Sequence, residues 1–188
     1  MSSDTESQEE WEWLARAAAG DDFAFGLLVE RYQGRLLNFF LRAGAKDHAE
    51  DLVQETFMRL YRHRHRAKPL ARFTTYAHTL AHHVWADHVR RQSRRLRVLE
   101  RAAPEMEHAD NASSGLARAR LDAERLLAIL SAEHRAAVVL VVYQGLAYAE
   151  AAAALGVPAG TVKSRVFNAL RRMQDALDAS SSGERYET

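Results

Sequence analysis

Apolar residues recur at three- and four-residue intervals along most of the chain, a spacing that predicts amphipathic helices. The pattern is clear over residues 47–66, where Asp47 followed by Glu50 predicts a capping box and Pro69 bounds the far end. The face opposite the apolar one combines acids and an amide with a methionine, a side chain that adapts to partner surfaces. Its residues are Asp51, Gln54, Glu55, Met58 and the basic Arg62. This face is either solvated or a docking surface for a partner protein.

A second helical pattern covers residues 73–98. Its apolar stripe is expected to pack against the preceding helices and consists of Phe73, Tyr76, Ala77, Leu80 and Val84. Trp85 and Val89 lie off that stripe, so they meet a second packing surface or face a partner. A cluster of arginines follows. Aromatic rings interleaved with arginines suit single-stranded nucleic acid, because rings stack on bases and guanidinium groups hold phosphates.

A helix-turn-helix is predicted near the C-terminus. A short helix over residues 148–155 is followed by the turn Gly156-Val157-Pro158 and by a second helix with Gly160 or Thr161 near its cap. The inner face of the second helix is predicted to hold Val162, Val166, Ala169, Leu170 and Met173. Its outer face is polar and basic, with Lys163, Ser164, Phe167, Asn168 and Arg171, flanked by Arg165 and Arg172. An ordinary helical hairpin is the alternative, but the basic outer face favours DNA binding.

Composition and charge narrow the class of protein. The 188 residues include no cysteine, few glycines and prolines and no apolar run of membrane-spanning length, and the polar start resembles no secretion signal. We therefore expect an all-α, cytoplasmic protein without disulfides. The net charge of +1 hides segregation: residues 59–101 carry 12 Lys and Arg against two acids, whereas residues 103–117 carry three acids and neither Lys nor Arg.

These features divide the chain into two small helical domains joined by a flexible linker. We predict a disordered acidic tail over residues 1–10, a first domain over 11–102, an acidic linker over 103–117, a second domain over 118–178, and a polar tail over 179–188.

Two histidines of the second helical pattern are candidate metal ligands. His78 and His82 are four residues apart, a spacing that can bind zinc, and a metal-dependent hydrolase would centre on them and Asp87. No cysteine accompanies them, and no glutamate lies between them as a metalloprotease motif requires. Asp87 is instead predicted to pair with an arginine. We expect no metal, no cofactor and no catalytic residues, since no nucleophile–base pair, paired carboxylates or phosphate loop is present.

Three stretches together resemble extracytoplasmic-function (ECF) sigma factors. AEDLVQETFMRLYR (49–62) is similar to the family's helix that binds the polymerase clamp, and residues 73–91 to its promoter-melting helix. GLAYAEAAAALGVPAGTVKSRVFNALRRM (145–173) is similar to its DNA-reading module, with GTVKSR the most specific piece.

The resemblance implies a factor that binds core RNA polymerase and directs it to promoter DNA. It assigns polymerase binding to Asp51, Gln54, Glu55 and Met58. Recognition of the melted −10 element would fall to Arg72, Tyr76, His83, Arg90, Arg91 and Arg94. The duplex −35 element would be read by Thr161, Lys163, Ser164, Arg165, Asn168, Arg171 and Arg172. The resemblance also implies an anti-sigma partner.

The chain departs from the family pattern, which usually has tryptophan where Tyr76 stands and asparagine where His83 stands. Two further alternatives remain at this stage. A stand-alone helix-turn-helix regulator would bind DNA without polymerase, and a sigma-like decoy would bind only an anti-sigma factor. The acidic face at residues 51–58 argues against the first, and the basic segments argue against the second.

Overall fold

The structure, a computed structural model, describes residues 3–99 and 123–183. These two ranges contain helices and no strand, which confirms the all-α prediction. The helices are α1 (Ser3–Ala18), α2 (Asp22–Ala43), α3 (Ala49–His63), α4 (Phe73–Leu99), α5 (123–128), α6 (Ala132–Val138), α7 (Tyr148–Leu155) and α8 (Ala159–Gly183). A 3-10 turn at Lys46–His48 precedes α3, and a π-helical turn at Val139–Tyr143 follows α6. No described helix is long and apolar enough to cross a membrane.

An aromatic core holds the first four helices together. Tyr32 and Phe39 of α2 and Phe73 of α4 are at most 1% exposed, and the rings of Tyr32 and Phe73 meet edge-on at 5.3 Å. Helix α2 ends at Gly44, whose φ of 98° is a left-handed conformation that favours glycine. Trp85 of α4 was predicted either to meet another packing surface within the protein or to face a partner. It is buried, so the first of these two predictions is correct.

Helix α1 corrects the prediction of a disordered tail over residues 1–10, because it begins at Ser3. Two polar side chains in this segment are buried and bonded to other helices. The hydroxyl of Ser7 accepts a hydrogen bond from the backbone N–H of Phe73 at 2.8 Å, and the Glu10 carboxylate lies 3.5 Å from Arg31 of α2. These tertiary contacts hold the polar segment in place as a helix, although its sequence has few apolar residues.

Two predicted helix boundaries are also wrong. Asp47 does not cap α3, because it lies in the 3-10 turn, and the helix begins two residues later without a side-chain cap. At the C-terminus, α8 continues to Gly183, so residues 179–183 are helical and not part of an irregular tail. The predicted linker, 103–117, lies outside the described residues.

Helices α5 to α8 form the second helical unit and include the predicted helix-turn-helix. Helix α7 has the predicted bounds, and Gly156 follows it with φ of 65°, while the N–H of Val157 bonds to the carbonyl of Ala152 at 3.2 Å. Helix α8 begins at Ala159, two residues before Thr161. Of the predicted inner face, Val162, Val166 and Ala169 are buried and Met173 is half-buried, but Leu170 is 47% exposed and was wrongly assigned.

The two helical units pack directly against each other, mainly through α4 and α7. Gln144 donates a hydrogen bond to the carbonyl of Arg35 at 3.3 Å, and Lys46 pairs with Glu124 at 2.6 Å.

His78 of α4 is fully buried, with Nδ1 2.8 Å from the carbonyl of Thr74. Burial lowers the pKa of His78, so its neutral form is favoured inside the protein.

Candidate nucleic-acid and partner interfaces

One face of α4 aligns most of the residues assigned to the −10 element. Counted at about 100° per residue from Arg72, which immediately precedes α4, the set falls within about 40° around the helix axis. Its members are Arg72, Tyr76, His83, Arg90 and Arg94. We call these five residues the basic face. It extends about 33 Å along the axis, at about 1.5 Å per residue. His83, Arg90 and Arg94 are exposed, whereas Arg91 lies about 100° from Arg72.

An aromatic groove opens at the start of the basic face. Its volume is about 430 Å³, and its walls include the rings of Trp11 and Tyr76, Thr79 and several residues of the loop 64–72. The indole N–H of Trp11 donates to the carbonyl of Ala71 at 3.0 Å, which ties α1 to that loop. Burial raises the pKa of Tyr76, so its hydroxyl stays neutral at physiological pH.

Asp87 organises the arginines farther along α4. Its carboxylate accepts hydrogen bonds from Arg90 at 2.6 Å and from Arg59 of α3 at 3.0 Å, while its backbone carbonyl accepts one from Arg91 at 3.3 Å. Mainly through the Arg90 hydrogen bond, these cations hold the pKa of Asp87 below its usual range. The predicted pairing of Asp87 with an arginine is therefore confirmed, and Arg59 connects α3 with α4.

The residues assigned to polymerase binding lie along α3. Asp51, Gln54 and Met58 are exposed, and Met58 is 54% exposed although it is apolar. Glu55 is half-buried and accepts a hydrogen bond from Arg59 at 2.8 Å. We call these four residues the acidic face. Its outer part is open to a partner, while Glu55 is already engaged with a neighbour on the same helix.

Helix α8 divides the residues assigned to the −35 element. Lys163, Ser164, Phe167 and Arg171 lie within about 100° of one another and are exposed, and we call them the outer face. Asn168 and Arg172 are exposed on its flank, and Thr161 is half-buried.

Arg165 departs from the arrangement expected of a DNA-reading residue. Its side chain is only 20% exposed and forms an ion pair with Glu133 of α6. In this position it fastens the recognition helix to its own domain and does not lie on the outer face.

Sequence reasoning missed Glu150, a residue of α7 that contacts the start of the basic face. Its carboxylate lies 3.4 Å from the guanidinium of Arg72 and accepts a hydrogen bond from the hydroxyl of Thr75 at 3.3 Å. Ala153 of the same helix borders the aromatic groove. In this arrangement, α7 therefore partly covers the surface assigned to the −10 element.

The histidines are not grouped around a common point. His78 is enclosed in the core, and Asp87 engages arginines instead of histidines. Burial lowers the pKa of His82 to about 4. Among the described residues, no group of three or more His, Asp and Glu could hold a metal ion.

Comparison with known proteins decides the family. Residues 28–95 match the family Sigma-70 region 2, and residues 120–173 match Sigma-70 region 4. The chain is 33% identical over 181 residues to the ECF RNA polymerase sigma factor SigC of Mycobacterium tuberculosis, covering 88% of this chain and 95% of SigC. The chain belongs to the ECF RNA polymerase sigma factors. Another member, SigE of Mycolicibacterium smegmatis, is 34% identical over 179 residues, covering 88% of this chain and 67% of SigE.

Two solved structures share this arrangement of helices. CnrH, solved in complex with the cytosolic domain of CnrY, aligns with a TM-score of 0.68 at 25% identity, covering 91% of this sigma factor and 98% of CnrH. The sigma factor RpoE of Bartonella quintana, solved with the anti-sigma factor NepR, aligns with a TM-score of 0.69 at 27% identity. The alignment covers 82% of this chain and 96% of RpoE.

Proposed function

We propose that this ECF sigma factor places core RNA polymerase at its promoters through three separate surfaces. The acidic face of α3 binds the polymerase, the basic face of α4 holds the melted −10 strand, and the outer face of α8 reads the −35 duplex. The observation that carries this proposal is the basic face itself. It runs about 33 Å from the aromatic groove at one end to the arginines held by Asp87 at the other, which suits a single strand that is stacked and held by its phosphates.

The outer face of α8 suits duplex DNA. A recognition helix inserts in the major groove, where Lys163 can donate to guanine and Ser164 can bond to either kind of base edge. We propose that the chain performs no chemistry of its own, since the polymerase supplies the active site, and that it acts in the cytoplasm, where that polymerase works.

We also propose that the two helical units separate on the promoter. The −10 and −35 elements lie about 25 base pairs apart, or about 85 Å at 3.4 Å per base pair. Helix α7, which precedes the −35-reading helix, here packs directly on α4, which bears the −10 surface. A compact chain of 188 residues has a radius of gyration of only about 16 Å, so the closed molecule is too small to reach both elements. Binding the promoter therefore requires that the contact between α4 and α7 open.

We propose in addition that an anti-sigma protein binds this chain. The sigma factor RpoE was solved with the anti-sigma factor NepR, and CnrH was solved with the cytosolic domain of CnrY. RpoE and CnrH both share the helix arrangement of this chain. Such a protein would compete with polymerase or promoter DNA for the same surfaces.

Gel filtration with sigma-free core polymerase tests the proposal. The purified chain should co-elute with the polymerase, and the double substitution Asp51→Ala and Met58→Ala should abolish co-elution because both side chains are exposed on the acidic face. Glu12→Ala, which removes an exposed acid from α1, serves as the matched control and should co-elute normally. A folded chain that binds duplex DNA but never co-elutes with polymerase would be a stand-alone helix-turn-helix regulator instead.

A further inference from the structure

Trp11 lies outside the segment that matches Sigma-70 region 2, yet it forms part of the surface assigned to the −10 element. It belongs to α1, and its ring lines the aromatic groove together with Tyr76.

The indole of Trp11 is fixed on three sides. The ring of Phe73 meets it edge-on at 5.2 Å, and the ring of Tyr76 lies 5.2 Å away at an interplanar angle of 33°. Its N–H is bonded to the carbonyl of Ala71. An indole that is already immobilised loses little conformational entropy when a ligand stacks on it, which favours binding.

The surroundings of the groove indicate which ligand it would take. Its lining includes His63, Arg66 and Lys68, and no acid is among the described residues that line it. Leu70, also in the lining, is 88% exposed. Aromatic walls suit a flat, unpaired base, and the neighbouring cations suit the phosphates on either side of that base.

We propose that Trp11 is a further DNA-contacting residue of this sigma factor, and that its indole forms, beside the Tyr76 ring, a wall of the groove on which an unpaired nucleobase of the melted strand stacks. The inference rests on the proposed function, because it needs a single strand to be presented to the basic face. It adds a contact from α1, outside the segment matched to the family.

Binding of two single strands to the complete chain tests the stacking contact. One is a 12-nucleotide DNA of random sequence, and the other is an abasic strand of equal length that keeps the phosphates. Trp11→Leu should weaken binding of the base-bearing strand about tenfold and leave the abasic strand unchanged, since stacking requires a base. Any cost of separating α7 from α4 is common to both strands and cancels in this comparison.

Two further variants separate stacking from folding. Trp11→Phe keeps an aromatic ring in the groove and should restore most of the lost affinity. Trp13→Leu makes the same change two residues away, where the indole packs under the guanidinium of Arg31 at 4.3 Å and is not part of the groove. This control should bind both strands as the unmodified protein does.

Photocrosslinking gives a measurement that needs no substitution. Irradiation of the chain bound to single-stranded DNA containing 5-iodouracil should crosslink the peptide that contains Trp11. If Trp11→Leu weakens both strands equally, or crosslinks map only to other segments, the stacking contact is wrong. Co-elution with polymerase is a separate measurement. A failure of the Trp11 contact therefore leaves the proposed sigma-factor function untouched, and a failure of co-elution can be told apart from a failure of stacking.

Discussion

Removing the carboxylate of Glu150 should open the molecule. This side chain is 20% exposed and meets Arg72, which is 41% exposed, at 3.4 Å, with a further hydrogen bond from Thr75. Because the arginine is well solvated, we assign the pair about 1 kcal/mol. Losing it changes the ratio of closed to open molecules about fivefold. If the closed form dominates and only the open form binds the −10 strand, affinity for that strand rises by the same factor.

Energy transfer between two dyes measures this opening directly. The chain has no cysteine, so cysteines introduced at exposed Gln33 of α2 and Asp175 of α8 would be the only labelling sites. Transfer efficiency should fall in Glu150→Ala and binding of a single-stranded DNA should tighten. The control is Glu124→Gln, which breaks a more exposed pair with Lys46 that also joins the two helical units but lies away from α4 and α7. It should change the ratio less than about twofold.

One complication can be resolved within the same experiment. Glu150 also accepts a hydrogen bond from the backbone N–H of Ala147 at 2.8 Å, so Glu150→Ala removes a helix cap from α7. Glu150→Gln retains an acceptor for that N–H and loses only the charge, and it should still open the molecule in part. If Glu150→Ala leaves both the transfer efficiency and the DNA affinity unchanged, the contact between α7 and α4 does not restrain promoter binding.

Three further predictions concern stability. Arg165→Gln should destabilise the second helical unit by about 1 kcal/mol in denaturant, as should Glu133→Gln, because each breaks the same ion pair; a loss of −35 binding in Arg165→Gln alone would show that this arginine reads DNA. Burial lowers the pKa of His82 to about 4, so the unfolded chain, with a histidine pKa of about 6.5, takes up the proton first. Stability should therefore fall as pH drops below about 6.5, with His82 contributing about 2 kcal/mol of the loss near pH 5. His82→Gln should weaken this dependence in urea titrations, and buried His78, whose pKa is also lowered, should keep part of the remainder. Gly44→Ala should cost about 1–2 kcal/mol, because φ is 98° there and the new methyl would meet the Arg135 guanidinium; an unchanged melting temperature would contradict this.

Sequence patterns located the helices best where periodicity and breakers agree. The bounds of α7 were predicted without error because a short apolar run is closed by Gly156, whose positive φ ends the helix. The start of α4 at Phe73 follows the same logic, with Pro69 shortly before it. The spacing of Asp47 to Glu50 is that of a capping box, so the sequence alone predicts a helix start at Asp47. In the structure, the left-handed residue Gly44 is followed by a 3-10 turn that includes Asp47, so this residue is not the cap of α3.

The surfaces were predictable only as far as they depend on one helix. The alignment of the basic face follows from spacing along α4, and the structure leaves His83, Arg90 and Arg94 exposed. Contacts between distant segments have no such signal. Glu150 reaches Arg72 across 78 residues and Trp11 reaches Ala71 across 60, so neither contact could be inferred from local spacing.

Among the described residues, two acids bond to cations of the basic face, and they behave differently when the molecule opens. Asp87 belongs to α4 itself, so its bond to Arg90 persists after the two units part. Glu150 belongs to α7 and leaves with it, which exposes Arg72 beside the aromatic groove. A DNA phosphate can then take the place of that carboxylate, so the strand and α7 compete for the same cation. Salt screens both the ion pair of Arg72 with Glu150 and the attraction of Arg72 to a phosphate. With rising ionic strength, the open fraction without DNA should therefore increase modestly, while binding of the strand should weaken.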